Sequence, residues 1–332
     1  MATRYVDSAA TGAADGTSES DAWTTINDAM DAISGLGAGP HLVYVKDSGS
    51  YAELVTIDTG GAANGAIVFE GYTTTPGDGG QATITGSDVR ANCVTSAVAA
   101  DVFYTFKNFI FTNATGAAFD MSGDEYVTFF NCTFQNSESA FLGDNYQQFI
   151  QCTFTGFDGS SGAISNHDSG TNYIACSFNC AGFSGSFIVN SYNTCFAFCE
   201  FYGFDNAIAG VVNIDAQGGA NALINCTFDG ENTSSSGVRI SSATSEGPYA
   251  FVNNIFYDLE YAYEGQAIDP TGSALGVNNL YNSLTATSLT FALDDNGALS
   301  TAPGFTNEAG DDYTLTSGAN AEDAGIDASD AP

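Results

Sequence analysis

The chain has 332 residues, 44% of them apolar, so a sizeable hydrophobic core can form. It carries 39 Asp and Glu against five Lys and Arg, for a formal net charge of −34. Nucleic-acid affinity depends on Lys and Arg that displace counterions from phosphates, so we expect no nucleic-acid partner. No stretch approaches the ~20 apolar residues of a membrane span, so we expect no membrane insertion.

The first predicted element is a helix over residues 20–36. Four large apolar residues recur there at helical spacing: Trp23, Ile26, Met30 and Ile33. Ser20 or Asp21 is suited to cap the start of this helix, and Gly35 or Gly37 to end it. The residues before it lack the apolar segment of a secretory signal. We therefore expect synthesis in the cytoplasm without a cleaved signal peptide.

Short strands follow the helix. Alternating apolar residues predict strands at 42–46, 53–57, 66–71 and 82–85. One phrase then recurs, with its clearest copies at Asn131-Cys-Thr-Phe134, Gln151-Cys-Thr-Phe154, Ala175-Cys-Ser-Phe178, Phe198-Cys-Glu-Phe201 and Asn225-Cys-Thr-Phe228. The aromatic residues that close each copy, from Phe111 to Tyr281, are 20 to 28 residues apart. This variation in spacing indicates strands of fixed length joined by loops of varying length.

Each repeat carries three short strands. The sequence therefore predicts an all-β fold, a right-handed parallel β-helix of about 10–11 coils. A β-helix exposes unpaired strand edges at its ends, so we expect the helix at 20–36 to cap the N-terminal end. The predicted parts are a cap at 1–40, the β-helix at 41–285, and a C-terminal cap with an acidic tail at 286–332.

Stacking would align equivalent residues of successive coils about 4.8 Å apart. One internal column is predicted for Cys132, Cys152, Cys176, Cys199 and Cys226, and a second for Phe111, Phe134, Phe154, Phe178, Phe201, Phe228 and Phe256. Buried thiols pack as small hydrophobes, which we favour over disulfides or a metal site. An amide ladder at one bend is predicted for Asn108, Asn131, Asn225, Asn253 and Asn278.

These features resemble the pectate-lyase-like superfamily of right-handed parallel β-helix proteins. The resemblance covers most of the chain and rests on the opening from Arg4-Tyr-Val-Asp7 to Ala22-Trp-Thr-Thr-Ile26, the Asn-Cys-Thr-Phe phrase, and the stretch from Pro303-Gly-Phe305 to Asp323-Ala-Gly325. The opening also looks like β-helix proteins that tailed phages carry as virion parts. Because the superfamily includes lyases, hydrolases, adhesins and spikes, the fold leaves the function open.

Polysaccharide lyases of this superfamily use a basic residue together with a cation or basic cluster. The chain offers only Arg4, Lys46, Arg90, Lys107 and Arg239, on separate coils. Lys107 and Arg239 lie too many coils apart to share a site. Hydrolases of the superfamily use paired carboxylates. The candidate catalytic residues are Asp120 and Asp144 on neighbouring coils, and His167 with Asp168 in a predicted loop.

A cofactor is not predicted, with calcium as the one alternative. Calcium takes oxygen ligands, and its candidate ligands are Asp294, Asp295, Asp311 and Asp312. Neither an EF-hand loop nor a Gly-Asp calcium repeat is present in the sequence.

The lack of a catalytic motif favours a non-enzymatic structural protein. The leading hypothesis is a viral (phage) virion appendage, spike or capsid-decoration protein, located in the virion or at an extracellular surface. It would bind itself, other virion or surface proteins, or glycans, through an end or one lateral face. The alternative is a carbohydrate-active β-helix, either a polysaccharide hydrolase or lyase or a glycan-binding adhesin. That alternative requires exposed aromatics, for which the candidates are Tyr126, Tyr146, Tyr192, Tyr202 and Tyr261.

Overall fold

The computed structural model describes most of the chain: residues 2–35, 40–60, 65–98, 103–158, 162–183, 186–204, 210–214, 220–231, 234–240, 249–265, 274–282, 284, 293–298, 303–307, 310, 312–317 and 319. The chain divides into two compact units, Met1–Gly159 and Ser160–Pro332.

The first unit contains one helix and fourteen strands among its described residues. In chain order these are β1 (Ala2–Val6), α1 (Ile26–Ser34), β2 (His41–Lys46), β3 (Val55–Ile57), β4 (Ile67–Tyr72), β5 (Ala82–Thr85), β6 (Val94–Ser96), β7 (Tyr104–Lys107), β8 (Phe109–Thr112), β9 (Ala117–Glu125), β10 (Val127–Phe130), β11 (Thr133–Gln135), β12 (Ser139–Asn145), β13 (Gln148–Ile150) and β14 (Thr153–Thr155).

The second unit contains only strands among its described residues. In chain order these are β15 (Ile164–Ser169), β16 (Asn172–Ile174), β17 (Ser177–Asn179), β18 (Ile188–Tyr192), β19 (Cys195–Ala197), β20 (Glu200–Tyr202), β21 (Val212–Ile214), β22 (Asn221–Ile224), β23 (Thr227–Asp229), β24 (Ser236–Ile240), β25 (Tyr249–Val252), β26 (Ile255–Tyr257), β27 (Tyr261–Gly265), β28 (Ala274–Asn282), β29 (Leu293–Ala298), β30 (Phe305–Asn307) and β31 (Asp312–Leu315).

Strands of successive coils pair in parallel and form three rows in each unit. In the first unit the first row is β2, β4, β7, β10 and β13, the second is β5, β8, β11 and β14, and the third is β3, β6, β9 and β12. In the second unit the first row is β16, β19, β22, β25 and β28, the second is β17, β20, β23, β26 and β28, and the third is β15, β18, β21, β24 and β27. The predicted right-handed parallel β-helix with three strands per coil is confirmed.

Stacked aromatic rings fill the core of each unit. In the first unit Phe111 stacks on Phe134, and Phe134 on Phe154, with ring centroids 5.1 Å apart in both pairs. In the second unit Phe178 and Phe228 stack on either side of Phe201, at 4.6 and 4.4 Å. These rings are fully buried. Rings at such distances add attraction beyond the area they bury, so the aromatic column helps to fix the register of the coils.

A column of buried thiols runs beside the rings, and all eight cysteines are free thiols. Cys132 and Cys152 belong to the first unit, and Cys176, Cys199 and Cys226 to the second. In the next two coils of the second unit the same position holds Asn254 and Asn279, both fully buried. The amide of Asn254 donates to Oδ1 of Asn279 at 2.9 Å.

The predicted amide ladder is present between Asn108 and Asn131, where Asn131 Nδ2 donates to Asn108 Oδ1 at 2.9 Å. In the second unit a further amide pair lies one residue after the bend, at Asn254 and Asn279. Asn253 occupies the bend itself, with φ +56°, whereas Asn254 is turned into the core. The side chain of Asn278 lies outside the described residues, so the predicted pair of Asn253 and Asn278 stays a prediction.

Helix α1 packs against β1, β2 and β3, the first strands of its unit. It begins at Ile26, with Thr25 as its N-cap, and Gly35 is its C-cap, so the predicted start at residue 20 is wrong. Trp23 is extended instead, because its backbone pairs in parallel with Val6. Within the described residues no helix is long and apolar enough to cross a membrane.

Candidate functional site

Of the two predicted catalytic carboxylates of the first unit, Asp120 and Asp144, only Asp120 has a described side chain. Asp120 lies on the outer face of β9, where Asn92 Nδ2 donates to its Oδ2 at 3.2 Å. Its in-register neighbour on β12 is Leu142, which is exposed. Asp144 lies on the same strand, but its side chain falls outside the described part of the structure.

The other predicted site residues are placed by their strands. His167 and Asp168 lie in β15, so the loop predicted for them is wrong, and their side chains are outside the description. Asp294 and Asp295 lie in β29 with side chains also undescribed, and Asp311 falls outside the described residues altogether. Among the residues that are described, no group of three or more His, Cys, Asp or Glu could hold a metal ion.

Asp312, the last calcium candidate, is described and is the first residue of β31. Its Oδ1 accepts hydrogen bonds from the backbone N–H and the hydroxyl of Thr314. One carboxylate oxygen is therefore already used within the chain.

The predicted aromatics Tyr126 and Tyr146 stack on each other with ring centroids 5.1 Å apart, and Phe103 stacks on Tyr126 at 4.8 Å. Both faces of the Tyr126 ring are therefore covered by other rings. A sugar cannot stack on Tyr126, although its side chain is partly exposed.

Buried thiols are poor candidates for chemistry. Burial raises the pKa of Cys199 well above its usual value, and the neighbouring thiols Cys176 and Cys226 raise it further. Burial likewise raises the pKa of Cys93 to about 11. Because the thiolate is the nucleophile and the metal ligand, these protonated thiols serve packing rather than catalysis.

Most of the few cations in the chain are bound by neighbouring groups. Lys46 pairs with Asp7 at 3.2 Å, and Lys107 with Glu70 at 2.9 Å. Arg90 donates to the carbonyl oxygen of Gly86 at 3.4 Å. Arg4 donates to the carbonyl oxygen of its neighbour Thr3.

Arg239 differs from these, since it has neither an ion pair nor a hydrogen bond within the described structure. It lies on β24 in the third row of the second unit, in register with Asn213 on β21 and Glu264 on β27. We call these three residues the Arg239 row. Gly210 packs against the Arg239 backbone so closely that a Cβ there would lie 2.2 Å from Arg239 Cβ.

The two neighbours of Arg239 are held differently. Ser236 Oγ donates to Glu264 Oε2 at 2.7 Å, which orients that carboxylate. Asn213 Oδ1 is buried and has no hydrogen-bond partner in the described structure. The Arg239 row thus presents a cation and an oriented carboxylate on adjacent coils. Sequence reasoning found Arg239 but not Glu264, because no motif marks a carboxylate on a neighbouring coil.

A second polar cluster lies where the antiparallel hairpin β30–β31 crosses the second row of the second unit. The ring of Tyr313 contacts Tyr202 at 5.7 Å, and Phe305 contacts Tyr257 at 5.8 Å. Burial raises the pKa of Glu200 on β20, and the nearby charge of Asp312 raises it further. The hairpin therefore brings the carboxylate of Asp312 close enough to act on that of Glu200.

The outer side of the first row in the second unit is mostly apolar. Its described outward residues form one column of Ile174, Ala197, Ile224, Val252 and Val277, and a second column of Asn172, Cys195, Ala222 and Ala250. Phe198 stands at the adjacent bend and is 60% exposed. We call these residues, apart from the polar Asn172, the apolar face. Among them there is no charged side chain, in a chain whose net charge is −34.

Comparison with solved structures identifies the fold. A pectate lyase matches with a TM-score of 0.63 and 14% identity, covering 99% of this chain and 93% of its own. A rhamnogalacturonan lyase matches with a TM-score of 0.57 and 12% identity, covering 92% and 91%. The chain therefore has the pectate-lyase-like right-handed parallel β-helix fold. No protein-family model matches the sequence, and no curated protein matches it either.

Proposed function

We propose that the protein is a carbohydrate-active β-helix that binds an acidic polysaccharide at the Arg239 row. The observation that carries this proposal is Arg239, which forms no ion pair with any described residue and lies in register between Asn213 and Glu264. A guanidinium presents paired N–H donors that match a carboxylate in geometry and charge. The Glu264 carboxylate, half-buried on the next coil, can accept a hydrogen bond from a sugar hydroxyl. Together these groups suit a sugar acid, which carries both a carboxylate and hydroxyls.

The fold supports the same proposal. Two of the solved structures that match over most of the chain are named as a pectate lyase and a rhamnogalacturonan lyase. Both names describe enzymes that act on polysaccharides. Since a fold does not determine a function, the argument rests on the residues of the Arg239 row.

The row also carries the groups for β-elimination. Arg239 would neutralise the sugar carboxylate, which makes the adjacent C–H more acidic. Glu264, oriented by Ser236, would accept that proton. The electron pair of the C–H bond then forms a carbon–carbon double bond as the neighbouring glycosidic C–O bond breaks. The leaving sugar oxygen takes a proton from water.

The test is a binding and product assay on a panel of acidic and neutral polysaccharides. We expect binding to acidic members only, and Arg239→Gln to weaken it at least tenfold, because each lost charge-assisted contact is worth about 1.5–3 kcal/mol. Arg90→Gln, which removes a cation of the first unit, is the matched control and should bind normally. Equal binding by Arg239→Gln and wild type would reject the site.

Ultraviolet absorbance of an unsaturated product would establish elimination, and binding without product would establish an adhesin.

A structural role is the second candidate function, and the apolar face favours it. An uncharged lateral face on a strongly acidic chain suits docking onto another protein surface. The specific form of this hypothesis is a virion appendage, spike or decoration protein. Purified particles that contain the chain in fixed stoichiometry would support it. Detection only in host cytosol, and never in particles, would reject it.

A further inference from the structure

The apolar face differs from the outward positions of the corresponding row in the first unit. Outward positions of the corresponding row in the first unit carry charge, including Lys107 and Glu70, which form an ion pair. Strand alternation alone would place polar residues outward, since only one side of each strand faces the core. In the second unit the described outward positions are instead mostly aliphatic, with Asn172 and Cys195 as the exceptions. A contiguous, partly exposed apolar patch of this kind marks an interaction surface.

The two columns of the apolar face differ in size. One column carries Ile174, Ile224, Val252 and Val277, with Ala197 among them. The column beside it carries the small residues Cys195, Ala222 and Ala250, with Asn172 at its first coil. The register places Ala222 and Ile224 on one strand and Ala250 and Val252 on the next, so each coil there offers one small and one large residue. The face is thus a ridge beside a shallow groove.

This shape fits a second copy of itself. A two-fold axis parallel to the stacking direction exchanges left and right across the face but keeps the order of the coils. Such an axis sets the large column of each copy against the small column of the other, for example Ile224 against Ala222. Contacts of this kind are isologous, as in most homodimers.

The charge of the chain points to the same partner. A basic partner would be attracted to the acidic surface elsewhere, but it would gain nothing from the uncharged apolar face. A suitable partner must itself present an uncharged apolar surface, and this chain has one. Five strands at ~4.8 Å spacing and two outward residues per strand give a face on the order of 300 Å². That is less than the ~800 Å² per partner typical of stable complexes, so the dimer should be weak.

We propose that the protein self-associates through the apolar face as a weak two-fold dimer. Long-range repulsion between two acidic chains opposes this contact, and salt screens that repulsion. Self-association should therefore strengthen as ionic strength rises. An association held by opposite charges would weaken instead. This inference is independent of the proposed polysaccharide site, which lies in a different row.

The first measurement is sedimentation velocity of the full chain over a hundredfold range of concentration, at low and moderate salt. The mass should rise toward that of a dimer with concentration, and more steeply at moderate salt. Ile224→Glu and Val252→Glu, each placing a charge in the large column, should weaken self-association at least tenfold. Thr128→Glu is the matched control, since it adds the same charge to an outward position of the corresponding row in the first unit. Circular dichroism confirms that each variant is folded.

Cys195 gives a second readout, because it lies in the small column and is the one cysteine that is not fully buried. Its alkylation rate should fall as wild-type concentration rises, and should stay constant in Ile224→Glu. A monomer at every concentration and salt, with constant Cys195 reactivity, would overturn the proposal. Dimerisation of both glutamate variants at wild-type strength would overturn it as well, because the contact would then lie elsewhere.

Discussion

Asn254 shows how one residue changes the interior of a coil. It occupies the position that Cys226 holds in the preceding coil, yet it carries a polar amide into the core. Its Oδ1 accepts the backbone N–H of Cys226 at 2.9 Å, and its Nδ2 donates to the carbonyl oxygen of Leu223 at 3.0 Å. A further bond joins it to Asn279. The buried amide is therefore satisfied, and it links three successive coils of the second unit.

We expect Asn254→Ala to lower the free energy of unfolding by about 2–4 kcal/mol, because it leaves the Cys226 N–H and a carbonyl oxygen buried without partners. Cys226→Ala is the matched control at the same column position. It removes a small hydrophobe with weak S–H bonds and should cost about 1 kcal/mol. Chemical denaturation measures both values. Equal losses in the two variants would show that the amide contributes no more than packing.

The bend between the first and second strands of a coil shows why the sequence predicted this bend in some coils and not in others. Asn108 and Asn131 hold the left-handed conformation there, at φ +61° and +51°, which asparagine tolerates well. Ala175 and Phe198 adopt it too, at +53° and +58°, although it costs such residues about 1–2 kcal/mol. The stacked hydrogen bonds of the coil impose the bend. The Asn pattern therefore predicts bends only in the coils that carry Asn.

At the scale of elements, the hairpin β30–β31 lies on the second row of the second unit through aromatic contacts and places Asp312 near Glu200. The other described groups in register with Glu200 are Ser177 and Thr227, which carry no charge. At neutral pH two carboxylates thus oppose each other beneath the hairpin. Protonation of Glu200 relieves this repulsion, so docking of the hairpin depends on pH.

We expect the hairpin to be held most tightly in acid. The pKa of Glu200 is raised above its ordinary 4.5 in the folded chain, so its contribution to stability is present below that value and is lost as pH rises through the raised pKa. Hydrogen-exchange protection of the Thr316 N–H, which donates to Gly304, should fall over that range. Glu200→Gln mimics the protonated acid and should keep protection high. A pH response that persists unchanged in Glu200→Gln would contradict this account.

The repeat predicted the strands of the coils, but it could not predict what lies against their outer faces. The predicted strand at 82–85 agrees with β5, since alternation along one strand is a local signal. The contact between Glu200 and Asp312 joins positions far apart in sequence, and neither stands in a motif. Likewise, Arg239 becomes a candidate site only when its register with Glu264 is known. Pairing between residues far apart in the sequence produces no periodic pattern in it. The candidate site could therefore be recognised only in the structure.

At the scale of the whole molecule, net charge is the dominant electrostatic feature. Acidic residues outnumber basic ones by 39 to five, and two of the five cations are already paired, in Lys46–Asp7 and Lys107–Glu70. Most carboxylates therefore repel one another across the surface. Such self-repulsion keeps a chain soluble but destabilises its compact state. The coils must hold against it through the buried aromatic and thiol columns.

We therefore expect the melting temperature to rise by several degrees as sodium chloride increases from about 0.01 to 0.15 M, because the Debye length falls from about 30 to 8 Å. The Ile224→Glu variant should show the same rise, since the effect does not need self-association. Sodium bromide at equal ionic strength should match sodium chloride, because screening does not depend on the anion. A flat response would mean that the charges are too far apart to repel. Calcium chloride at matched ionic strength provides the final comparison. A higher melting temperature than in sodium chloride would require a bound calcium ion. An equal rise in the melting temperature would be the result of screening alone.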